Sequence, residues 1–474
     1  MNDKVSKTLF FLIAAVYAGV LFSSSAQAAY LGDKIEYAGY LETEVWIKNN
    51  NDNGHQFLTS LKNELDLGIA YKLSDNWSFF FHPRYFYDYA YSIRDDSSFD
   101  ENQEKMGHTQ RTEWLRDCYL DFTSPQLDIR LGKQQVAWSQ ADGLPFILDR
   151  VMPFNLSYFW LPDFADIRIP LWMAKVEYSP WLNSSIQFLF IPDFEASRSA
   201  PANSAFALKS VNAWDNFKKL NESMGGTAEE TLYRPHQDFE NSRIGLRWRS
   251  MTGGVEYTLN WLYGHTPSAY TYTDSFTPVI PTTPFGNYKV SRRHKVVHVI
   301  GGSFNKSFLQ PGPFEGWTVR GEFAYIHDEP TYYGTEGSRR LTESCDKYNW
   351  FIGFDRYFFT NWLFSTQFAQ MISADEEKQG YHILSGYTYG VMEDVENIAT
   401  VKIATDFMHE RLKPEVLVIW SDDNDGRIAF KTQYEINENL WFTLGYYHFW
   451  GPEYGSNGQF RNNDHTFCEI KYTF

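Results

Sequence analysis

The sequence predicts an all-β fold, a transmembrane antiparallel β-barrel of about 16–18 strands with one connection folded inward as a loop or plug. Three observations predict it. Runs that alternate apolar and polar residues continue through most of the 474 residues, and that period of two marks a strand with two unlike faces. The ends of the runs are loaded with Trp and Tyr, as membrane-interface girdles are. Aromatic content is high, at 18% with 39 Phe, 31 Tyr and 16 Trp, and no helical layer is evident to bury it. A soluble sandwich also alternates, but many runs reach ~11–15 residues, the length of a tilted bilayer crossing.

The amino terminus comes first. Lys4 and Lys7 precede an apolar run from Leu9 to Phe22, and Ala26-Gln27-Ala28 is a small-residue cleavage pattern. Residues 1–28 therefore read as a secretory signal peptide, with the barrel over 29–474. Beyond it no uninterrupted apolar run is long enough for a helical span. The formal net charge of -17 argues against nucleic acid as a partner. Cys118, Cys345 and Cys468 are too few for a disulfide scaffold. Cys118 and Cys468 read as small apolar residues on strand faces.

The strands follow in order. The expected list is 33–48, 57–73, 76–91, 110–122, 126–137, 169–180, 183–192, 238–250 and 253–265, then 287–306, 314–329, 345–358, 360–371, 395–409, 412–421, 425–438, 440–450 and 463–474. In 61–73, Leu65, Leu67, Ile69 and Tyr71 oppose Lys62, Glu64, Asp66 and Gly68. In 126–136, Leu127, Ile129 and Leu131 oppose Asp128, Arg130 and Gly132. In the last run, Cys468, Ile470, Tyr472 and Phe474 oppose Glu469, Lys471 and Thr473. Short turns at 73–76 and 436–439 fit the periplasmic side, and the stretches 92–109, 193–237, 266–286, 330–344 and 372–394 fit outer loops. A short helix is expected near 204–220, in a lid packed by Phe206, Trp214 and Phe217.

One stretch, 138–170, does not alternate. Pro145, Pro153, Pro162 and Pro170 break ladders there, yet it carries Phe146, Ile147, Leu148, Phe154, Tyr158, Phe159, Trp160 and Phe164. Such an apolar irregular segment fits inside a barrel, where protein and water satisfy its backbone. Arg111, Asp117, Arg130, Gln134, Trp138, Asp149, Arg150, Asp163, Asp166 and Arg168 are the candidate residues of a lumen constriction or ligand path. Asp166 and Arg168 are expected to pair with Arg130, Asp117 or Arg111. Two readings stand together, ion pairing that pins a plug and charges that touch solute.

The stretches "RLGKQQVAWSQADGL" (130–144), "DRVMPFNLS" (149–157), "DIRIPLWMAKVEY" (166–178), "RLKPEVLVIW" (411–420) and the ending from Phe449 to Phe474 resemble a family of Gram-negative outer-membrane proteins, domain of unknown function 1302. Lys133 stands where that family usually has a second Arg, Ser139 where Gly is common, and "PFNLS" replaces its usual turn. The resemblance implies an outer-membrane barrel whose relatives are linked to handling hydrophobic compounds, steroids or aromatics, beside envelope transport proteins. A looser similarity is to alginate-export porins.

Other chemistry finds little support. "GGSFNKS" at 301–307 lacks phosphate-loop spacing. His327, Asp328 and Glu329 read as a solvated rim, and "SDDNDG" at 421–426 as a polar turn without a full calcium loop. Asp406 and His409 fall on opposite faces by parity, so no nucleophile has a positioned base. No enzyme, cofactor or metal is expected. The expected function is a porin-like channel or transporter for small, hydrophobic or aromatic solutes, with a non-conducting structural or ligand-binding barrel as the alternative. The expected partners are outer-membrane lipid and lipopolysaccharide, the barrel assembly machinery, a small-molecule solute, and a periplasmic or inner-membrane transport partner.

Overall fold

The computed structural model describes residues 29–31, 34–49, 58–94, 97–110, 113–143, 147–333, 341–374, 380–384, 387–392, 395–453 and 455–474. The expected signal peptide and Arg111 lie outside the described residues.

Among the described residues eighteen antiparallel strands close into a barrel. They are β1 (Ile35–Lys48), β2 (Leu58–Lys72), β3 (Trp77–Asp88), β4 (Leu115–Thr123), β5 (Leu127–Gln134) and β6 (Leu171–Trp181). Next come β7 (Ser184–Ile191), β8 (Arg243–Thr252), β9 (Val255–His265), β10 (Val296–Ser307), β11 (Trp317–Tyr333) and β12 (Leu341–Phe358). The wall is completed by β13 (Trp362–Ser373), β14 (Val395–Ala404), β15 (Leu412–Ser421), β16 (Asp425–Asn437), β17 (Leu440–Trp450) and β18 (His465–Thr473). Each strand pairs with the next, and β18 returns to β1 in the register Tyr40↔Thr473 to Lys48↔His465. A short segment, Ala29–Leu31, pairs with the start of β1. No helix among the described residues is long and apolar enough to cross a membrane.

Alternation sorts the wall into two faces. Leu65, Leu259, Ile300, Phe323 and Leu444 stand exposed on the outside, where an apolar surface of this extent needs lipid rather than water. Turns at 73–76, 124–126, 182–183, 253–254 and 438–439 gather at one rim, together with the start of β1 and the end of β18. The long connections gather at the other.

The expected strand 287–306 divides in two. Gly286–Arg293 leaves the barrel and pairs with Tyr270–Pro278 and, in parallel, with Thr227–Tyr233, while β10 begins only at Val296. The polar run Arg292-Arg293-His294-Lys295 marks the break. This small loop sheet carries a helix, Lys209–Ser223, whose Trp214 and Phe217 meet Tyr288 and Phe285. Asn221, fully buried, ties the two by accepting from the Gly286 amide and donating to its carbonyl, each at 2.8 Å. The helix thus starts after Phe206, which turns away from the lid and inserts, 1% exposed, beside Trp46 in the barrel mouth.

Candidate functional site

The connection between β5 and β6, residues 135–170, runs through the lumen. Its first half lies on an inner wall that is itself apolar. Trp138, Ile147, Leu148, Val151 and Met152 are buried against Leu189, Ile191, Leu262, Val297, Val299 and Ile326. Two wall positions make room by lacking a side chain. A Cβ on Gly245 would stand 3.0 Å from the Trp138 ring, and one on Gly301 would stand 2.6 Å from a Leu148 methyl.

Polar pins accompany this contact. Trp138 Nε1 donates to Gln187 at 2.9 Å. The Glu322 carboxylate accepts from Ser139 Oγ at 2.9 Å and from the Gln140 amide. Arg320 donates to the Gln140 carbonyl and to Asp142. Arg243 donates to the carbonyls of Val151 at 2.6 Å and Arg150 at 2.7 Å. The bonds to the backbone of Gln140, Arg150 and Val151 satisfy an irregular stretch that carries no ladder of its own.

The second half crosses to the opposite wall. Tyr158, Phe159 and Leu161 enter an aromatic cluster of Trp46, Phe206, Tyr447, Phe460 and Phe467. Trp46 on β1 stacks on Tyr447 of β17 at 5.6 Å and on Phe467 of β18 at 5.1 Å. Tyr447 Oη donates to the Leu161 carbonyl at 3.1 Å, and Arg427 donates to that of Trp160 at 3.2 Å. A one-turn helix, Phe164–Ile167, then leads to β6.

The expected residues fall in three places. Asp163 and Asp166 line the remaining bore. Asp163 faces Lys431 at 3.8 Å, and Asp166 accepts from Arg84 at 2.7 Å. Asp149 and Arg150 line a smaller cavity behind the segment. Arg168 is turned back onto Asp149, with its Nε 2.9 Å away, and Arg150 onto Glu329 at 2.6 Å. Trp138, in the segment, and Gln134, at the end of β5, are both buried, and Gln134 donates to the Met173 carbonyl at 3.3 Å.

The expected pairing of Asp166 and Arg168 with Arg130 or Asp117 is corrected. Arg130 forms two 2.7 Å bonds with Asp121 on the neighbouring strand and stacks over Tyr119. Its position four residues beyond the turn 124–126 puts it close to the short-turn rim, away from the segment. Asp117 is taken by His82 at 3.1 Å. Burial pushes the Asp166 carboxyl up, but Arg84 and Arg116 outweigh it and hold the group below the usual carboxylate range. For Asp149 burial wins over Arg168, and the carboxyl is raised.

The open part of the lumen is a cavity of about 440 Å³ between the segment and the walls of β1–β3 and β14–β18. Charges of both signs line it, among them Glu42, Lys62, Glu64, Arg84, Arg116 and Lys471. They interlock: Lys62 reaches Glu44 at 3.1 Å, and Lys471 reaches Glu42 at 2.7 Å. These residues were missing from the expected set, although Lys62, Glu64 and Lys471 already stood on the polar faces of their strands. The usable signal was the polar face of consecutive strands rather than the segment alone.

Glu329 is a second omission. The sequence places it on a solvated rim, whereas it is buried, 5% exposed. A one-residue bulge between Ile326 and Glu329, with Asp328 at φ 61°, shifts the parity of β11 and turns Glu329 inward onto Arg150 and Lys347. It borders the smaller cavity, of about 280 Å³. Trp160 lines both cavities and stands between them. Among the described residues no group of three or more His, Cys, Asp or Glu could hold a metal ion.

The family model described as protein of unknown function, DUF1302, matches residues 48–474. No curated protein matches the sequence. Among solved structures, Acinetobacter baumannii OccAB1 aligns with a TM-score of 0.52 and 9% identity, over 95% of this chain and 99% of that one. Pseudomonas aeruginosa OccK5 (OpdH) aligns with a TM-score of 0.51 and 9% identity, over 94% and 99%. At such identity the likeness is one of fold. The barrel architecture and the family support an outer-membrane location.

Proposed function

The chain belongs to the DUF1302 family, and on that premise we propose that it is an outer-membrane porin-like channel for small solutes, hydrophobic and aromatic ones included. The 135–170 segment is its constriction. One observation carries the reading. The segment covers the apolar part of the inner wall but leaves about 440 Å³ of charge-lined space beside it. Interlocked charges of both signs keep such a passage wet and let it sort solutes by charge and size. Asp163 and Asp166, held by Lys431 and Arg84, are the segment's own contribution to that surface.

The test is single-channel conductance in planar bilayers, comparing the mature chain with a version lacking residues 142–166. Stable ionic steps from the mature chain support an open channel. Silence that gives way to large steps in the deletion supports a plugged barrel opened by a ligand or partner. Silence from both, with folding verified, overturns the channel. A second reading, a sealed binding or structural barrel, draws on the anchoring of the segment to both walls. Outer-membrane lipid, lipopolysaccharide and the barrel assembly machinery are the partners this location entails. A periplasmic or inner-membrane transport partner belongs to the same proposal.

A further inference from the structure

We infer that the cavity of about 280 Å³ behind the segment is a binding site for an organic anion, a carboxylate carried on a compact apolar body. The inference deepens the channel reading and rests on it. Met152, Phe154, Leu262, Val297 and Val299 supply apolar surface. Arg150, Arg243 and Lys347 supply positive charge, against Asp149 and Glu329.

The pairing is uneven. Asp149 is already held by Arg168 at 2.5 Å, from outside the lining. Glu329 is shared by Arg150 at 2.6 Å and Lys347 at 3.3 Å. Arg243, 4% exposed, donates to two backbone carbonyls, its Nε has no hydrogen-bond partner, and among the described residues no carboxylate forms an ion pair with it. Among the described residues Arg243 is therefore buried without a carboxylate counter-ion, in a chain whose net charge is -17. Buried charge without a counter-ion is unfavourable. A guest carboxylate supplies the counter-ion, and its apolar remainder meets the methyl and ring surface. A neutral guest gains only the second contact, and a cation is repelled. Because Trp160 lines both cavities, the bound anion would rest at the threshold of the larger one.

The rival account makes Arg243 only a fork for the Arg150 and Val151 carbonyls. The test therefore avoids Arg243. The full mature chain in nanodiscs is titrated calorimetrically with cyclohexanecarboxylate, cyclohexylmethanol and cyclohexylammonium. The carboxylate should bind saturably and at least about tenfold more tightly than either of the others. Lys347→Met should weaken the carboxylate about tenfold and leave the alcohol unchanged. Val299→Trp, with folding checked by heat-modifiable electrophoresis, should abolish both. Equal affinity for the three probes overturns the inference, as does carboxylate binding that survives either substitution. Conductance of the same preparations separates the two claims. Ionic steps without selective binding overturn the anion site alone, and selective binding without steps overturns the channel while supporting the site.

Discussion

Replacing Glu329 with Gln removes one negative charge from a site where it meets three partners. The carboxylate accepts from Arg150 at 2.6 Å, stands 3.3 Å from Lys347, and accepts from Tyr270 Oη at 3.3 Å. At an effective dielectric of ~20, the two ionic contacts are worth roughly 6 and 5 kcal/mol before desolvation. Desolvation removes several kcal/mol for each buried ion, and breaking such a pair on one side typically destabilises by about 3–5 kcal/mol, because the partners stay buried and unbalanced. Glu329→Gln should lose that amount in reversible urea unfolding in micelles. Its channels should also flicker, since Arg150 belongs to the lumen segment and loses its anchor on β11. In a double-mutant cycle, adding Lys347→Met to Glu329→Gln should return part of the loss. A change below about 0.5 kcal/mol with steady current would refute the claim that this bulge residue pins the segment.

Four further outcomes follow from the same geometry. Trp46→Ala empties the stack with Tyr447 and Phe467 and should lower stability by about 3–5 kcal/mol, read as a drop in the heat-modification temperature. Gly245→Val should push the Trp138 ring off Gln187 at a cost of about 1–3 kcal/mol, with a blue or red shift of Trp emission as the check. Asn221→Ala should free the outer helix from the loop sheet, about 1–3 kcal/mol locally, seen as faster protease nicking within 209–233 with the barrel intact. The Asp166–Arg84 pair has a depressed folded-state carboxyl pKa, so its stabilisation is fully present above the unfolded value near ~4 and is lost as pH falls through the folded one. Asp166→Asn should therefore alter the wild-type pH profile of stability only below about pH 4, and leave pH 5–8 parallel.

Much of the wall was legible because a strand with one lipid face and one wet face must alternate, and runs such as 61–73 and 465–473 do so cleanly. Gly286–Arg293 was not separable from β10, because its alternation is equally regular and only its pairing partners, Tyr270–Pro278 and Thr227–Tyr233, place it outside the barrel. Glu329 was hidden by a bulge, since one inserted residue inverts the parity on which face assignment depends. The lumen segment announced itself through proline and aromatic density. Its ion-pair partners did not, because whether Asp166 meets Arg84 or Arg130 depends on the height of each group above the turns.

The aromatic stack in the mouth ties together positions at the two ends of the chain. Trp46 lies on the first strand, Tyr447 and Phe467 on the last two, and Leu161 of the lumen segment rests among them. The seat for the segment is therefore incomplete until β18 docks on β1. Sealing the cylinder and lodging its occupant become one cooperative act of assembly, paid for late because the contacts are distant in sequence. A chain that zipped shut with the segment outside would leave those rings lining an empty, watery mouth, so the stack favours correctly filled barrels over hollow ones during biogenesis.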